Sequence, residues 1–372
     1  MKIAIIIDAW KPFIGGGQKL FWQLARGLVL NHHCQISIIT RSLKNELGRK
    51  YNKKQEFYGG ALEIIRLGRP LLLSNLMGRI IFPFQAAFFV LSRDYDLVHG
   101  SAFLPGLSLQ LIKLLKRKTV TFSAIGLNHF WQITNPGLVG FILEQTETII
   151  TKKFKYDWVF TDDHNFYKKF GYSNISFIPN GVQLPIIRNV KKWDKFTFLF
   201  VGRLDKRKGL NYLLQAIKIL KDKQTDVCLR IVGEGSEFQN YKNLSDSLGI
   251  SRKVKFVGKV SDVQLQTEYR KANCLILSSI WEGQPLVLFE AWAAKLPVIA
   301  TGVGSLPYFI NKTNGYLVEP RNEKRLVEAM TQAVNNKQLE RLGLNGFLMI
   351  KNKYSWEKTV KAYLDVFKRF LQ

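Results

Sequence analysis

Glu282 and Glu290 stand in the stretch WEGQPLVLFEAW (281–292), with seven residues between them, in a run otherwise rich in Trp, Leu, Val, Phe and Ala. An unpartnered carboxylate in such surroundings costs several kcal/mol in desolvation, so each acid must meet donors. The hydroxyls of a ribose or another sugar would serve, and so would a structural Lys or a backbone amide. A second stretch, GRLDKRKG (202–209), crowds Arg203, Lys206, Arg207 and Lys208 into one short loop. Guanidinium and ammonium groups so close together can clamp a diphosphate, each charge-assisted hydrogen bond contributing about 1.5–3 kcal/mol, or they can form a solvated basic turn. A third, Gly15-Gly16-Gly17, follows the apolar run IAIIID and precedes a helical pattern. Glycines let backbone approach a ligand and the new helix's free amides favour an anion, although a plain tight connection has the same look, and neither GxGxxG nor a Walker lysine pattern is present.

These loops need elements to hold them. Apolar runs alternate with amphipathic segments along the chain, which predicts an α/β protein with parallel sheets. The clearest strands are 3–8, 35–40, 96–100, 120–124 and 158–161 in the first half, and 196–202, 227–233, 254–258, 274–279 and 297–301 in the second. Between the halves IPNGVQLPIIRNVKKWDK (178–195) combines a turn, two prolines and a charge run, as a connector would. The expected domains are therefore 1–183, a linker at 184–195, and 196–353, each a doubly wound Rossmann-like sheet. A final amphipathic helix lies within 354–372, and its Trp356, Val360, Tyr363, Leu364 and Phe367 require a partner surface. In such sheets ligands bind beyond the carboxyl ends of the strands, where all three loops fall. Pro285 suits a helix's first turn, which puts Glu282, Gly283 and Gln284 in a loop and Glu290 two turns into the following helix.

Composition narrows the classes. At 372 residues the chain exceeds the size of a typical single core, and 47% hydrophobic residues suffice for two. The net charge of +27 favours anionic partners, but it is dispersed and accompanied by no recognition module, which argues against a nucleic-acid binder. Cys34, Cys228 and Cys274 are far apart and suit buried reduced thiols, hence a cytoplasmic setting. The N-terminus reads as a buried strand and not a signal peptide, and 71–91 is too interrupted to span a membrane. Basic amphipathic stretches at 41–54, 69–84 and 111–118 suit either docking on an anionic membrane surface or ordinary helices with solvated lysines. No metal site is expected: DYD (94–96) reads as a strand cap, and His32-His33-Cys34 has no ligand partners at zinc spacing.

Taken in order, Gly15-Gly16, IPNGV (178–182), GRLDKRKG (202–209), VGEGSE (232–237), SSIWEGQPLVLFEAWA (278–293), NGYLVEP (314–320) and SWEK (355–358) resemble the retaining nucleotide-sugar glycosyltransferases of the GT-B fold, in the large family numbered four. The resemblance covers almost the whole chain. It implies two Rossmann-like domains facing a central cleft, with the terminal helix crossing back to the first. It also implies metal-independent transfer of a hexose-type sugar from a UDP- or GDP-sugar to a hydroxyl acceptor, on a glycan or a lipid-linked sugar of the cell envelope, with no cofactor. Arg203 and Lys208 would neutralise the donor pyrophosphate, Glu282 would hold the donor sugar and Lys208, and Glu290 would bind the ribose. Gly15, Gly16, Gly202, Gly233, Gly235, Gly283, Gln284, Pro285 and Leu286 would line the donor. The family's histidine after the fourth strand is missing: Ser123 takes its place, or His129 a few residues on, as acceptor or sugar contact. The alternatives are a non-catalytic nucleotide-sugar-binding subunit and, behind it, a sugar-nucleotide epimerase, disfavoured by the lack of a carboxylate and histidine set for proton abstraction.

Overall fold

A computed structural model of the protein describes residues 1–10, 15–44, 51–72, 76–101, 103–116, 118–125, 137–170, 173–185 and 190–371. The chain forms two compact units, Met1–Gly181 joined by Trp356–Gln372, and Val182–Ser355.

Unit 1 runs β1 (Lys2–Ile7), α1 (Gly16–His32), β2 (Gln35–Leu43), β3 (Lys54–Phe57), β4 (Leu62–Leu71), α2 (Leu76–Leu91), β5 (Leu97–Ser101), α3 (Phe103–Lys116), β6 (Val120–Ala124), α4 (Leu138–Lys152), β7 (Trp158–Thr161), α5 (His164–Phe170) and β8 (Ile175–Phe177). Its sheet has the order β3-β4-β2-β1-β5-β6-β7-β8, parallel except for the β3–β4 hairpin pair. The apolar run of β1 is buried on both faces, as central parallel strands must be. The order reverses between β1 and β5, so the carboxyl ends of those strands, at Asp8 and Ser101, mark this unit's switch point. Asp96 of DYD accepts the amide of Lys2 at 2.7 Å and so ties the strand ends together, the structural use expected of it.

The terminal helix, α13 (Trp356–Lys368), packs on unit 1. Val360, Tyr363, Leu364 and Phe367 join Phe21, Leu24 and Leu28 of α1 and Ile3 and Ile5 of β1 in one core. The approach is close: a Cβ on Gly27 would lie 2.6 Å from Val360 Cγ2. A polar contact fixes the register. Tyr363 OH meets Ser123 Oγ at 3.1 Å, Ser123 Oγ meets His99 Nε2 at 2.9 Å, and His99 Nδ1 meets Thr121 Oγ1 at 2.8 Å. Burial pushes the His99 imidazole down to about 3, so the ring is neutral and sits in this network as a hydrogen-bonding spacer.

Unit 2 runs β9 (Phe196–Val201), α6 (Leu210–Asp222), β10 (Val227–Val232), α7 (Phe238–Ser247), β11 (Val254–Gly258), α8 (Asp262–Lys271), β12 (Cys274–Leu277), α9 (Leu286–Ala293), β13 (Val298–Thr301), α10 (Leu306–Phe309), β14 (Tyr316–Val318), α11 (Glu323–Asn335) and α12 (Leu339–Lys353). The sheet is parallel with the order β11-β10-β9-β12-β13-β14. Here the reversal falls between β9 and β12, whose carboxyl ends open into the loops 202–209 and 278–285. Two of the sequence motifs are brackets within the fold. Asn314 of NGYLVEP is buried and donates to the Phe309 carbonyl at 2.9 Å, and Val182 of IPNGV donates to the Tyr354 carbonyl at 3.0 Å.

All ten strands expected from sequence are present in substance, and β3, β4, β8 and β14 are additional. Cys34 and Cys274 are buried free thiols and Cys228 is half-buried.

Candidate active site

The switch point of unit 2 gathers the cations and one carboxylate. β9 hands over at Gly202, whose amide donates to the Val232 carbonyl at 3.0 Å, and Leu204 donates to the Glu234 carbonyl at 2.9 Å. The loop 202–206 is thereby zipped to VGEGSE, and Gly202, Gly233 and Gly235 are brought together as backbone positions. Asp205 then caps a 3-10 turn over Lys206–Lys208, its carboxylate accepting from the Arg207 amide at 3.1 Å and from the Arg207 guanidinium at 2.8 Å. Arg207 is therefore committed to the loop itself. Arg203 points outward, exposed, and makes no side-chain hydrogen bond or ion pair among the described residues.

Lys208 turns inward. Its Nζ donates to Glu282 Oε1 at 2.6 Å, the two side chains being 17% and 8% exposed. Ser279 Oγ donates to the same oxygen at 2.7 Å, and Ser278 Oγ donates to the Lys208 carbonyl at 3.0 Å. Glu282 thus belongs to the loop as expected, and its first partner is the lysine, with one ammonium proton engaged and two left for another acceptor. The carboxylate loop is fixed from behind by residues 302–305: Ser305 donates to the Gly283 carbonyl at 3.2 Å. Gly304 sits at φ 54°, and a Cβ there would fall 1.7 Å from the Glu282 carbonyl oxygen. Gly304→Ala is expected to cost at least about 2 kcal/mol of stability, from the left-handed backbone and the displaced loop together. Urea unfolding measures it, and an unchanged midpoint would show that the loop is not held this way.

Pro285 is the N-cap of α9, one place before its first helical residue, so the helix begins at Leu286. Gly283, Gln284 and Pro285 are buried and Leu286 is half-buried. Glu290 departs from the expected burial. It lies half-exposed on the flank of α9, while Phe289 and Trp292 take the core side. Its Oε2 accepts from Tyr269 OH of α8 at 2.9 Å. Tyr269 is fully buried, and burial together with the Glu290 carboxylate holds its hydroxyl well above the usual tyrosine range, so it remains a donor at any ordinary pH. Sequence reasoning missed Ser279, Tyr269 and Gly304; the Ser-Ser pair before Trp281 was the only local hint.

In unit 1, Gly15 is the N-cap of α1 and Gly16 opens it. The amide of Gly15 donates to Gln18 Oε1 at 2.9 Å, and Gln18 Nε2 donates to the Ala9 carbonyl at 3.1 Å. The glycine turn is thus braced across β1 and α1. Ser123 corrects an expectation: it is 0% exposed and its hydroxyl is taken by His99 and Tyr363, so it anchors α13 and offers no surface to a sugar or acceptor. His129, the other candidate for that contact, lies outside the described residues. Among the described residues no group of three or more His, Cys, Asp or Glu is placed to hold a metal ion. A roomier hollow of about 770 Å³ runs along the edge strand β11 past Trp193, Arg230 and Lys253. It includes neither Glu282 nor Lys208.

Residues 185–349 match the family Glycosyl transferases group 1. This is unit 2 almost entire, and it includes the site residues above other than Gly15 and Gly16 of unit 1. A Haemophilus influenzae protein named an uncharacterized glycosyltransferase is 33% identical over 201 residues, 54% of this chain and 56% of its own length. The capsular polysaccharide biosynthesis glycosyltransferase CapM of Staphylococcus aureus is 32% identical over 178 residues, 46% of each chain. An Escherichia coli protein named UDP-Gal:alpha-D-GlcNAc-diphosphoundecaprenol alpha-1,3-galactosyltransferase is 27% identical over 209 residues, 52% of this chain and 54% of its own. The chain therefore spans about half the length of the curated relatives it matches. Solved structures extend the likeness of fold to the whole chain. Sucrose-phosphate synthase from Thermosynechococcus elongatus superposes with a TM-score of 0.85 at 20% identity, over 100% of this chain and 99% of that one. HepE of Anabaena in complex with UDP gives 0.72 at 16% identity, over 99% and 100%. The fold is of the GT-B kind, and the similarity to the group 1 family lies in unit 2.

Proposed function

We propose that the chain is a retaining, metal-independent glycosyltransferase of the family-4 kind, acting in the cytoplasm. It moves a hexose-type sugar from a UDP- or GDP-sugar to a hydroxyl on a glycan, glycolipid or lipid-linked sugar of the cell envelope. The observation that carries this reading is the Lys208–Glu282 pair at the switch point of unit 2, with Arg203 unpaired in the same loop. A cation held in place by a carboxylate, with protons to spare, is suited to an acceptor that gains charge as a bond breaks. In the proposed step the anomeric C–O bond to the diphosphate breaks, and the electron pair leaves with the diphosphate onto Lys208 and Arg203. The acceptor oxygen bonds the same face of the sugar, and its proton passes to the departing phosphate. The two cations supply the charge neutralisation, so the step requires no metal or cofactor.

Glu290, braced by Tyr269, is positioned to accept from the ribose hydroxyls. The UDP in the HepE complex and the donor in the Escherichia coli relative's name support a uridine nucleotide, and that name's diphosphoundecaprenol supports a lipid-linked acceptor. Titration calorimetry with UDP and GDP tests the reading: Glu290→Gln should weaken the preferred nucleotide about tenfold at an unchanged melting temperature, since it loses one charged hydrogen bond. Equal affinity in variant and wild type would overturn the ribose assignment. A second reading, a donor-binding subunit that does not transfer, is favoured by Ser123 standing buried where the family places its histidine. Sugar release or transfer by the purified chain excludes it.

A further inference from the structure

Among the exposed large apolar side chains of unit 1, one set forms a row on a single helix. On α2, Met77, Ile80, Ile81, Phe84 and Phe88 are 63%, 50%, 43%, 59% and 76% exposed, at helical spacing along one stripe. The opposite side, with Phe82, Ala86, Ala87 and Val90, is buried in the core. No Asp or Glu occurs in α2, so nothing on the helix repels an anionic surface. Apolar stripes of this extent on a folded domain mark a binding surface.

Beside the helix, at the carboxyl ends of β2 and β4, lies a hollow of about 250 Å³ lined by Arg41, Gly68, Arg69, Ile81 and Gln85 among others. Arg41 is 4% exposed and is fixed by Asp8, with hydrogen bonds of 2.7 and 3.1 Å to its two carboxylate oxygens. Arg69 is exposed and uncompensated by any ion pair among the described residues. No acidic residue lines the hollow. With Arg41 and Arg69 among its lining residues, the space suits an anionic head group such as a phosphate or diphosphate. Ile81 belongs to both features, lining the hollow and standing in the stripe, so head group and chain can be served together.

We propose that α2 and this hollow form a binding site for a phosphate-headed lipid in a bilayer, with the phosphate against Arg69 and Arg41 and the hydrocarbon along Met77, Ile81, Phe84 and Phe88. The inference rests on the transferase reading, for which it names the acceptor class. The shape decides against a soluble phosphate alone, which would leave the stripe in water. It also decides against purely electrostatic docking, which would need no enclosed arginine.

The 372-residue chain should co-float with phosphatidylcholine vesicles carrying phosphatidic acid, less with vesicles of matched charge carrying phosphatidylserine, and not with phosphatidylcholine alone. Phe84→Asp with Phe88→Asp should lower the bound fraction about tenfold or more, as expected when two aromatic anchors are lost. Arg69→Ala should abolish the preference for phosphatidic acid over phosphatidylserine, and free glycerol phosphate should not release the wild type. Equal binding to all three vesicles, or wild-type binding by the double variant at an unchanged melting temperature, would overturn the site. So would sedimentation showing the stripe closed in a dimer that binds no vesicles. Nucleotide titration of the wild type against Lys208→Ala reports on unit 2 separately: equal affinity in the two, with vesicle binding intact, removes the transferase reading alone, while weakened nucleotide binding in the variant with no vesicle binding by the wild type removes the lipid site alone.

Discussion

Lys208→Ala should reduce turnover about 100- to 1000-fold, the usual cost of removing one preorganised donor from a site of developing negative charge. The same substitution should destabilise the protein. Glu282, with its side chain 8% exposed, would keep Ser279 as a donor and lose its counter-charge. Breaking a buried pair from one side costs about 3–5 kcal/mol, and the 17% exposure of Lys208 places the effect at or below the lower end. Turnover and stability separate in a double-mutant cycle. Lys208→Met with Glu282→Gln removes both charges and should recover most of the stability while turnover stays low. Recovery of turnover in the double variant would mean that the lysine serves only to neutralise the glutamate.

Tyr363→Ala should cost about 3–5 kcal/mol, as large-to-small changes at fully buried aromatic positions do. Tyr363 stacks on Phe160 at 4.3 Å, meets His99 edge-on at 5.8 Å, and closes the hydrogen-bond chain through Ser123. Its loss opens a cavity under α13 and frees the helix that returns to unit 1. Tyr363→Phe keeps the packing and should cost only about 1 kcal/mol, because Ser123 still has His99. Calorimetric scans of the two variants decide this. Equal melting temperatures for both would show that α13 is held elsewhere.

The fold was legible in sequence wherever a strand is central and buried on both faces. IAIIID, FTFLFVG and CLILSS announce themselves by unbroken apolar runs. β4 is different: its burial alternates along LEIIRL, with Glu63 and Ile65 only half-covered, so its signal is a period of two. β8 and β14 are three residues each, too short for any period. In the site, charge and glycine spacing identified the loops, because cations crowded between a strand and a helix are conspicuous in one dimension. What holds those side chains was not visible. Tyr269 is 21 residues from Glu290 and Gly304 is 22 from Glu282; a side-chain hydrogen bond between α8 and α9 joins the first pair, and the parallel β12–β13 crossover brings the second together. Ser123 was misplaced for a related reason: the resemblance put it where the family has its histidine, while its hydroxyl is taken up by Tyr363, 240 residues away.

In the proposed function the loops at the β9–β12 switch point bind a nucleotide diphosphate sugar and release the nucleotide. The most direct measurement is nucleoside diphosphate release by the purified chain from a panel of UDP- and GDP-sugars, with wild type and Lys208→Ala run side by side. The wild type should release nucleotide from at least one donor, with a loss of about 100- to 1000-fold in the variant, about 2.7–4 kcal/mol of transition-state stabilisation. Equal release by the two proteins, or binding of no nucleotide sugar by the wild type, would contradict it.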